Sequence, residues 1–274
     1  MRVGDLEITP ILDAEGTFAT VREAFPALTD EVEAEARARS PELFRGDDWW
    51  LPMQTVLIRS PDGVVLVDTG LGPAPRDFVP DAETLLPEEL GRLGVQPDDV
   101  DVVVHTHLHI DHIGWDGAFP RARYIVHEDE WAFFTRPEEL EQRDHLREVV
   151  VPLQAAGVLD LIAGETEIVP GVRVLPTPGH TPGHVSVRID ANGESLVVLG
   201  DIVVHTFQVF DPGTVYVSDG DHELAERTRR RFLGELADEG VPVSAAHLYG
   251  VGRFVRDGDA FGWEPAKEDG APVE

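Results

Sequence analysis

Metal-binding side chains are concentrated in one octapeptide, His105-Thr106-His107-Leu108-His109-Ile110-Asp111-His112, which follows a predicted buried strand. A neutral imidazole is a good ligand for Zn²⁺, and a carboxylate can join it in the same site. At strand-like spacing His107 and His109 point the same way and can chelate one ion. Asp111 and His112 come where the chain turns, so they can reach a second ion beside the first.

Three later segments each place one more candidate ligand at a strand end or in a rigid loop. The Pro/Gly-rich run 176–184 (PTPGHTPGH) holds His180 in a fixed place. Asp201 follows an apolar strand, where a carboxylate can bridge two cations. His247 follows the last predicted strand. Together with the octapeptide, these segments predict a site for two metal ions.

Other residues of these motifs are expected to do something else. His105 stands at the strand end, where we expect it to pack rather than to bind metal. His184 starts the next strand, and we expect it to hydrogen-bond within its loop. Gly114 follows the octapeptide and is expected to permit a tight turn.

Short strands and helices must position these side chains. Gln54–Arg59 and Val64–Asp68 flank a Ser-Pro-Asp-Gly turn signal and predict a hairpin. Val3–Ile11 alternates as an edge strand would, and Thr29–Ser40 predicts an exposed helix. The mixture of hairpins and helices predicts an α/β (α+β) fold with two mixed β-sheets packed face to face and helices outside. We expect one domain over residues 1–274, with a core at about 54–255, an N-terminal strand and helix extension at 1–53, and a frayed tail at 267–274.

The composition limits the partners. Lys plus Arg number 22 and Asp plus Glu 52, so the net charge is 22 − 52 = −30. A field of that sign repels nucleic acid and anionic membrane surfaces. There is no cysteine, which excludes thiolate chemistry and Cys-ligated zinc. With no signal peptide and no membrane span in the sequence, we expect a cytoplasmic protein that acts on a small molecule, with a homodimer as its candidate assembly.

These motifs together resemble those of the metallo-β-lactamase superfamily, over about residues 54–255. The resemblance lies in His107–His112, Gly179–His184, Gly200-Asp201 and His247, and in Asp68-Thr69-Gly70 after the second hairpin strand. It implies the αββα sandwich fold. It also implies two groups of metal ligands with one bridging carboxylate: His107, His109 and His180; Asp111, His112 and His247; and the bridge Asp201. Asp68 would support the site without binding metal.

The implied reaction is hydrolysis of an ester-like bond in a lactone, aryl ester or phosphotriester. A hydroxide that bridges two ions would attack the carbonyl or phosphoryl centre, and Asp111 would be the catalytic residue that moves its proton afterwards. Zinc is favoured because the site has imidazoles and carboxylates but no thiolate; Mn, Co and Fe are the alternatives.

Within the superfamily, the segments 200–212 and 247–254 are similar to the branch of methyl parathion hydrolase and related lactonases. The acyl-homoserine lactonases often have a Tyr three residues after the bridging Asp, and here that position is Val204. The alternative function is a non-haem iron oxidoreductase on the same fold, although the di-iron type usually replaces His109 by Glu. Candidates for an apolar substrate pocket are Trp49, Trp50, Phe207 and Phe210, with burial in the core as the equal alternative.

Overall fold

The computed structural model describes residues 1–73, 76–258 and 260–266 of the chain, so the predicted frayed tail lies outside the described residues. Two mixed β-sheets face each other, and helices pack on their outer sides. The predicted αββα sandwich is confirmed. No helix in the described part of the chain has both the length and the apolar character that a bilayer span requires.

The first sheet has the strand order β1-β2-β4-β5-β6-β7-β8, and β3 pairs with β4. Its strands are β1 (Arg2–Val3), β2 (Leu6–Thr20), β3 (Phe44–Arg45), β4 (Asp48–Ser60), β5 (Gly63–Val67), β6 (Val102–Val104), β7 (Arg123–His127) and β8 (Leu159–Ile162). Strands β5 to β8 are parallel, and β4 and β5 form the predicted antiparallel hairpin.

The second sheet has the order β15-β14-β13-β12-β11-β10-β9. Its strands are β9 (Thr166–Val169), β10 (Val172–Pro176), β11 (Val185–Ala191), β12 (Glu194–Val198), β13 (Val243–Ser244), β14 (Gly252–Asp257) and β15 (Ala260–Pro265). Within this sheet, only the β12–β13 pairing is parallel among the described strands.

The helices are mostly short. They are α1 (Val21–Ala24), α2 (Asp30–Arg39), α3 (Leu86–Arg92), α4 (Ile110–Ile113), α5 (Glu128–Phe134), α6 (Pro137–Gln142), α7 (Val151–Ala155), α8 (Phe207–Phe210) and α9 (His222–Glu239). Thr29 caps α2 as its sequence predicts, because its hydroxyl accepts a hydrogen bond from Val32 N. Asp221 caps α9 in the same way.

Aliphatic side chains fill the space between the sheets, because alternate residues of a strand face the same side. Ile8 and Ile58 of the first sheet share one buried cluster with Val187 and Ile189 of the second. Each such side chain contributes about 1.5–3 kcal/mol through its burial. This core fixes the two sheets and therefore the edge at which their loops meet.

Two local predictions need refinement. Val3–Ile11 lies at the edge of the first sheet but is not one strand, because Val3 ends the edge strand β1 and Leu6 begins the 15-residue strand β2, which pairs with β1 only at Leu6 and Glu7 and with β4 along its other side. Gly114 lies in a tight turn, as predicted, in which the backbone N of Asp116 donates to the carbonyl oxygen of Ile113 at 3.0 Å, but its φ of −63° does not require glycine. A side chain is excluded there by close packing instead, because a Cβ would lie 2.0 Å from the carbonyl carbon of Leu71.

Candidate metal centre

Four loops at one edge of the sandwich carry the candidate ligands. The loop after β6 leads into α4, and the other three loops follow β10, β12 and β13. Because β10, β12 and β13 run in the same direction, their carboxyl ends meet at the same edge of the second sheet. This topology brings together residues that lie far apart in the sequence.

His107, His109 and His180 bring one ring nitrogen each to a common point. Nε2 of His107 and Nε2 of His180 both lie 3.0 Å from Nδ1 of His109. The three donor atoms lie within 4.8 Å of one another. Three converging nitrogens can hold one tetrahedral ion and leave its fourth position free.

Asp111, His112 and His247 form a second group within the same 4.8 Å limit. Asp201 lies between the two groups. Its Oδ1 is 3.5 Å from Nε2 of His112, and its Oδ2 is 3.4 Å from Nε2 of His180 and 3.3 Å from Nε2 of His247. The carboxylate of Asp201 is therefore within reach of both groups.

The chemistry of these donors fits divalent metal ions. Nε2 of His112 and Oδ1 of Asp201 are buried without a hydrogen-bond partner among the described residues, although buried polar atoms normally have one. Burial and neighbouring imidazoles hold the pKa values of His107 and His109 well below the ordinary value, so both rings are uncharged. Uncharged imidazoles combined with carboxylates suit Zn²⁺ and other borderline ions.

Asp68 holds His112 from behind. Its carboxylate accepts hydrogen bonds from the backbone N and the hydroxyl of Thr106, both at 2.7 Å, and lies 2.8 Å from Nδ1 of His112. Burial opposes the ionisation of Asp68, but His112 and His105 outweigh burial and hold its pKa at about 2. The charged carboxylate leaves Nε2 of His112 facing Asp111 and Asp201.

His105 belongs to neither donor group. Its Nε2 lies 2.9 Å from Oδ2 of the buried Asp116, and its Nδ1 lies 3.9 Å from Asp68. Burial lowers the pKa of His105, but Asp116 outweighs that effect and raises it to about 9. His105 and Asp116 thus form a buried ion pair behind the ligands.

His184 hydrogen-bonds within its loop, as predicted, and also reaches the next strand end. Its Nδ1 donates to the carbonyl oxygen of Thr177 at 3.1 Å, and its Nε2 accepts from the backbone N of Asp201 at 2.9 Å. Burial lowers the pKa of His184 to about 3, so the ring is neutral. The second bond, which the sequence does not reveal, fixes the turn that presents Asp201.

Asp219 and Arg229 support His180, and the sequence analysis missed both. Oδ1 of Asp219 is 2.9 Å from Nδ1 of His180, and its Oδ2 accepts from Arg229 at 3.1 Å. Arg229 is also buried, and donates to the carbonyl oxygens of Ile202 and Pro212. No local pattern singles out Asp219 among 52 acidic residues.

Glu130 of α5 joins two of the loops, and it too was missed. Its carboxylate accepts from the backbone N of Leu108 at 2.9 Å and from the backbone N of Gly183 at 3.0 Å. The side chain is buried, and burial raises its pKa to about 7. Gly183 lies against this helix so closely that a Cβ would come within 2.1 Å of Glu130 N.

A cavity of about 470 Å³ opens above the donor groups; we call it the mouth cavity. Its apolar lining includes Phe18, Leu51 and Phe78, and its polar lining includes Asp111 and Tyr216. The ring of Tyr216 stacks on that of His180, with 6.0 Å between centroids and 6° between planes. The tyrosine beside the ligands is thus Tyr216, while Val204 is buried.

Three of the four aromatic pocket candidates lie in the core, the alternative that the sequence left open. Trp49 and Phe207 are 0% exposed and Phe210 is buried in the same hydrophobic core, while Trp50 lies outside the mouth cavity under the guanidinium of Arg45. Burial in the core therefore describes Trp49, Phe207 and Phe210.

Comparison with known proteins identifies the family of this chain. The Metallo-beta-lactamase superfamily profile matches residues 49–267, and the chain belongs to this superfamily. N-acyl homoserine lactonase AiiA of Bacillus thuringiensis subsp. kurstaki is 30% identical over 208 residues, which cover 70% of this chain and 79% of the relative.

Solved structures show the same fold. The hydrolase AbOPH superimposes with a TM-score of 0.85 at 24% identity, covering 97% of this chain and 96% of AbOPH. A second solved structure is an N-acyl homoserine lactone hydrolase with the product N-hexanoyl-L-homoserine bound at its catalytic metal centre. It superimposes with a TM-score of 0.66 at 25% identity, covering 90% of this chain and 94% of the hydrolase.

Proposed function

We propose that this chain is a dinuclear metal-dependent hydrolase that cleaves lactones or related esters. The observation that carries the proposal is the position of Asp201 between two groups of donor atoms beneath an open cavity. The site would hold two divalent ions, zinc being favoured by the donors. His107, His109 and His180 would hold the first ion, Asp111, His112 and His247 would hold the second, and Asp201 would be within reach of both.

Divalent ions in such a site lower the pKa of a water molecule and polarise a carbonyl oxygen. Side chains of the protein would supply the proton transfer and the orientation of the ligands. Asp111 is 15% exposed in its side chain, against 5% for Asp201, and it lines the mouth cavity. Its carboxylate is therefore placed to take a proton from the attacking water and to release it to the leaving oxygen. Asp68 and Asp219 stay behind the histidines and keep them oriented.

Lactones are favoured as substrates for two reasons. The curated relative AiiA, at 30% identity, is an N-acyl homoserine lactonase. The lining of the mouth cavity includes Phe18, Leu51 and Phe78, which suit an uncharged, partly apolar molecule. The net charge of −30 disfavours strongly anionic substrates.

The test is hydrolysis by zinc-loaded and manganese-loaded protein of γ-lactones, N-acyl homoserine lactones, aryl esters, phosphotriesters and β-lactams. We expect lactone hydrolysis that a chelator abolishes and added metal restores. Asp201→Asn should lose it, and Asp238→Asn, a change on the exposed surface of α9, should not. A protein that binds two zinc ions but cleaves no ester-like bond would contradict the proposal; bound iron with oxygen consumption would favour the oxidoreductase.

A further inference from the structure

A second cavity adjoins the mouth cavity on the side of His109 and His180. It measures about 320 Å³ and is lined mainly by apolar side chains, Phe133, Phe134, Pro182 and Leu224; we call it the apolar lobe. The two cavities share the lining residues His109, Arg143, Ser218 and Gly220. A molecule whose reacting bond lies in the mouth cavity can therefore extend an arm into the apolar lobe past Arg143.

Arg143 is held at this junction by its own segment. Its Nε donates to Oε2 of Glu139 at 2.9 Å, and its guanidinium carbon lies 5.3 Å from the ring centre of Phe134. The ring of Phe134 packs edge-on against His109, with 5.6 Å between centroids. The ring of Phe134 therefore lies between the guanidinium of Arg143 and the candidate metal ligand His109.

The terminal nitrogens of Arg143 are available to a ligand. Among the described residues they donate to no side chain or backbone group. His145, next to it in the mouth cavity, has a buried Nε2 that likewise lacks a partner in the described part of the chain. The side chain of Arg143 is 37% exposed, so its terminal nitrogens can exchange water for a substrate oxygen, and the buried Nε2 of His145 marks a polar site beside them.

The charges around Arg143 indicate an uncharged acceptor. Arg143 is the only Arg or Lys among the described residues that line the two cavities, and Glu139 already pairs with it. Asp111 and Asp219 line the same space and repel a second carboxylate. A carbonyl oxygen accepts from a guanidinium without that repulsion.

We propose that Arg143 determines substrate specificity by binding a carbonyl oxygen outside the scissile bond, which directs an apolar arm into the apolar lobe. The inference rests on the proposed function and narrows it to lactones or esters whose apolar arm is joined through an amide or keto group. Arg143 takes no part in bond cleavage.

The test compares two γ-lactones with arms of equal length, N-hexanoyl homoserine lactone and α-heptyl-γ-butyrolactone, which lacks the second carbonyl. In zinc-loaded protein, Arg143→Met should lower kcat/KM ten- to hundred-fold for the first lactone, because a hydrogen bond to a charged group is lost. It should change kcat/KM less than about two-fold for the second. Arg143→Lys should restore part of the loss.

Arg136→Met is the matched control, because Arg136 stacks on Phe133 in the same segment but lines neither cavity. It should leave both substrates unchanged. Equal losses of Arg143→Met on both lactones, or no loss on either, would overturn the inference while leaving the proposed function intact. If the wild type cleaves neither lactone, the proposed function fails. The role of Arg143 is then tested by calorimetric binding of the intact lactones. Equal affinity of wild type and Arg143→Met for the amide lactone would overturn that role.

Discussion

Asp219 lies behind His180, with its Oδ1 2.9 Å from Nδ1 of the imidazole, while Nε2 on the opposite side of the ring faces Asp201. A carboxylate in this position fixes the ring and makes the other nitrogen a better metal ligand. Arg229 holds the second oxygen of Asp219, so the orientation of a candidate ligand depends on a residue of α9.

Asp219→Asn should weaken binding of one zinc ion about ten-fold or more, because the amide is a poorer acceptor for Nδ1–H. Zinc competition against a chromophoric chelator measures the affinity. The matched control is Asp221→Asn, two residues away, because Asn caps a helix as well as Asp does. Unchanged affinity in the Asp219 variant, or an equal loss in the control, would show that Asp219 does not support a ligand.

Substitutions of His105 and His180 should distinguish a histidine that supports the site from one that binds metal. His107→Ala and His180→Ala should lose metal and activity, whereas His105→Ala should still bind two ions. The His105 variant should nevertheless lose about 3 kcal/mol of folding stability, because Asp116 stays buried without its partner. Metal content by mass spectrometry and urea unfolding measure the two effects. Loss of a metal from His105→Ala, with none from His180→Ala, would reverse the assignment.

Asp201→Asn should lower the affinity for the second ion and the hydrolysis rate by at least about a hundred-fold, because the amide removes the charge between the ions. Without metal, Asp201 still has His112 and His247 within 3.5 Å, so some destabilisation is expected there too. The melting temperature should therefore fall further below wild type in zinc than in EDTA. Equal losses in both conditions would make Asp201 a structural residue.

Glu130 predicts a pH dependence of stability in the metal-free chain. Burial raises its pKa from 4.5 to about 7, so the folded state holds this proton more tightly than the unfolded chain does. The protonated Glu130 adds its full contribution to the free energy of unfolding below pH 4.5. That contribution decreases as the pH rises from 4.5 and is lost once the pH has passed about 7; the total loss is up to about 3 kcal/mol.

Glu130→Gln does not titrate, so its stability relative to wild type should rise between pH 5 and pH 8. Urea unfolding in EDTA at both values measures the difference, with Asp238→Asn as the surface control. Parallel pH profiles of the wild type and the Glu130 variant would contradict this assignment.

The sequence predicted the fold, and the candidate ligands that it named come together in the structure, because both depend on short-range patterns. The octapeptide and the loops around His180, Asp201 and His247 each stand directly after a strand, and strand ends converge in this topology. The single-domain organisation and the homodimer remain predictions.

The supporting residues could not be predicted in the same way. Glu130 contacts Gly183 across 53 residues, and Asp219 contacts His180 across 39, with no local signal at either end. Hydrophobic type alone does not tell which way a side chain faces, and Trp49 and Phe207 therefore looked as suitable for a pocket as for the core that they occupy.

The most direct test of the account is a calorimetric titration of the metal-free wild-type chain with zinc. Two groups of donors that share Asp201 predict saturation at about two ions per chain, since each group completes one site. Saturation at one ion or fewer would contradict the dinuclear centre on which the proposed hydrolysis depends.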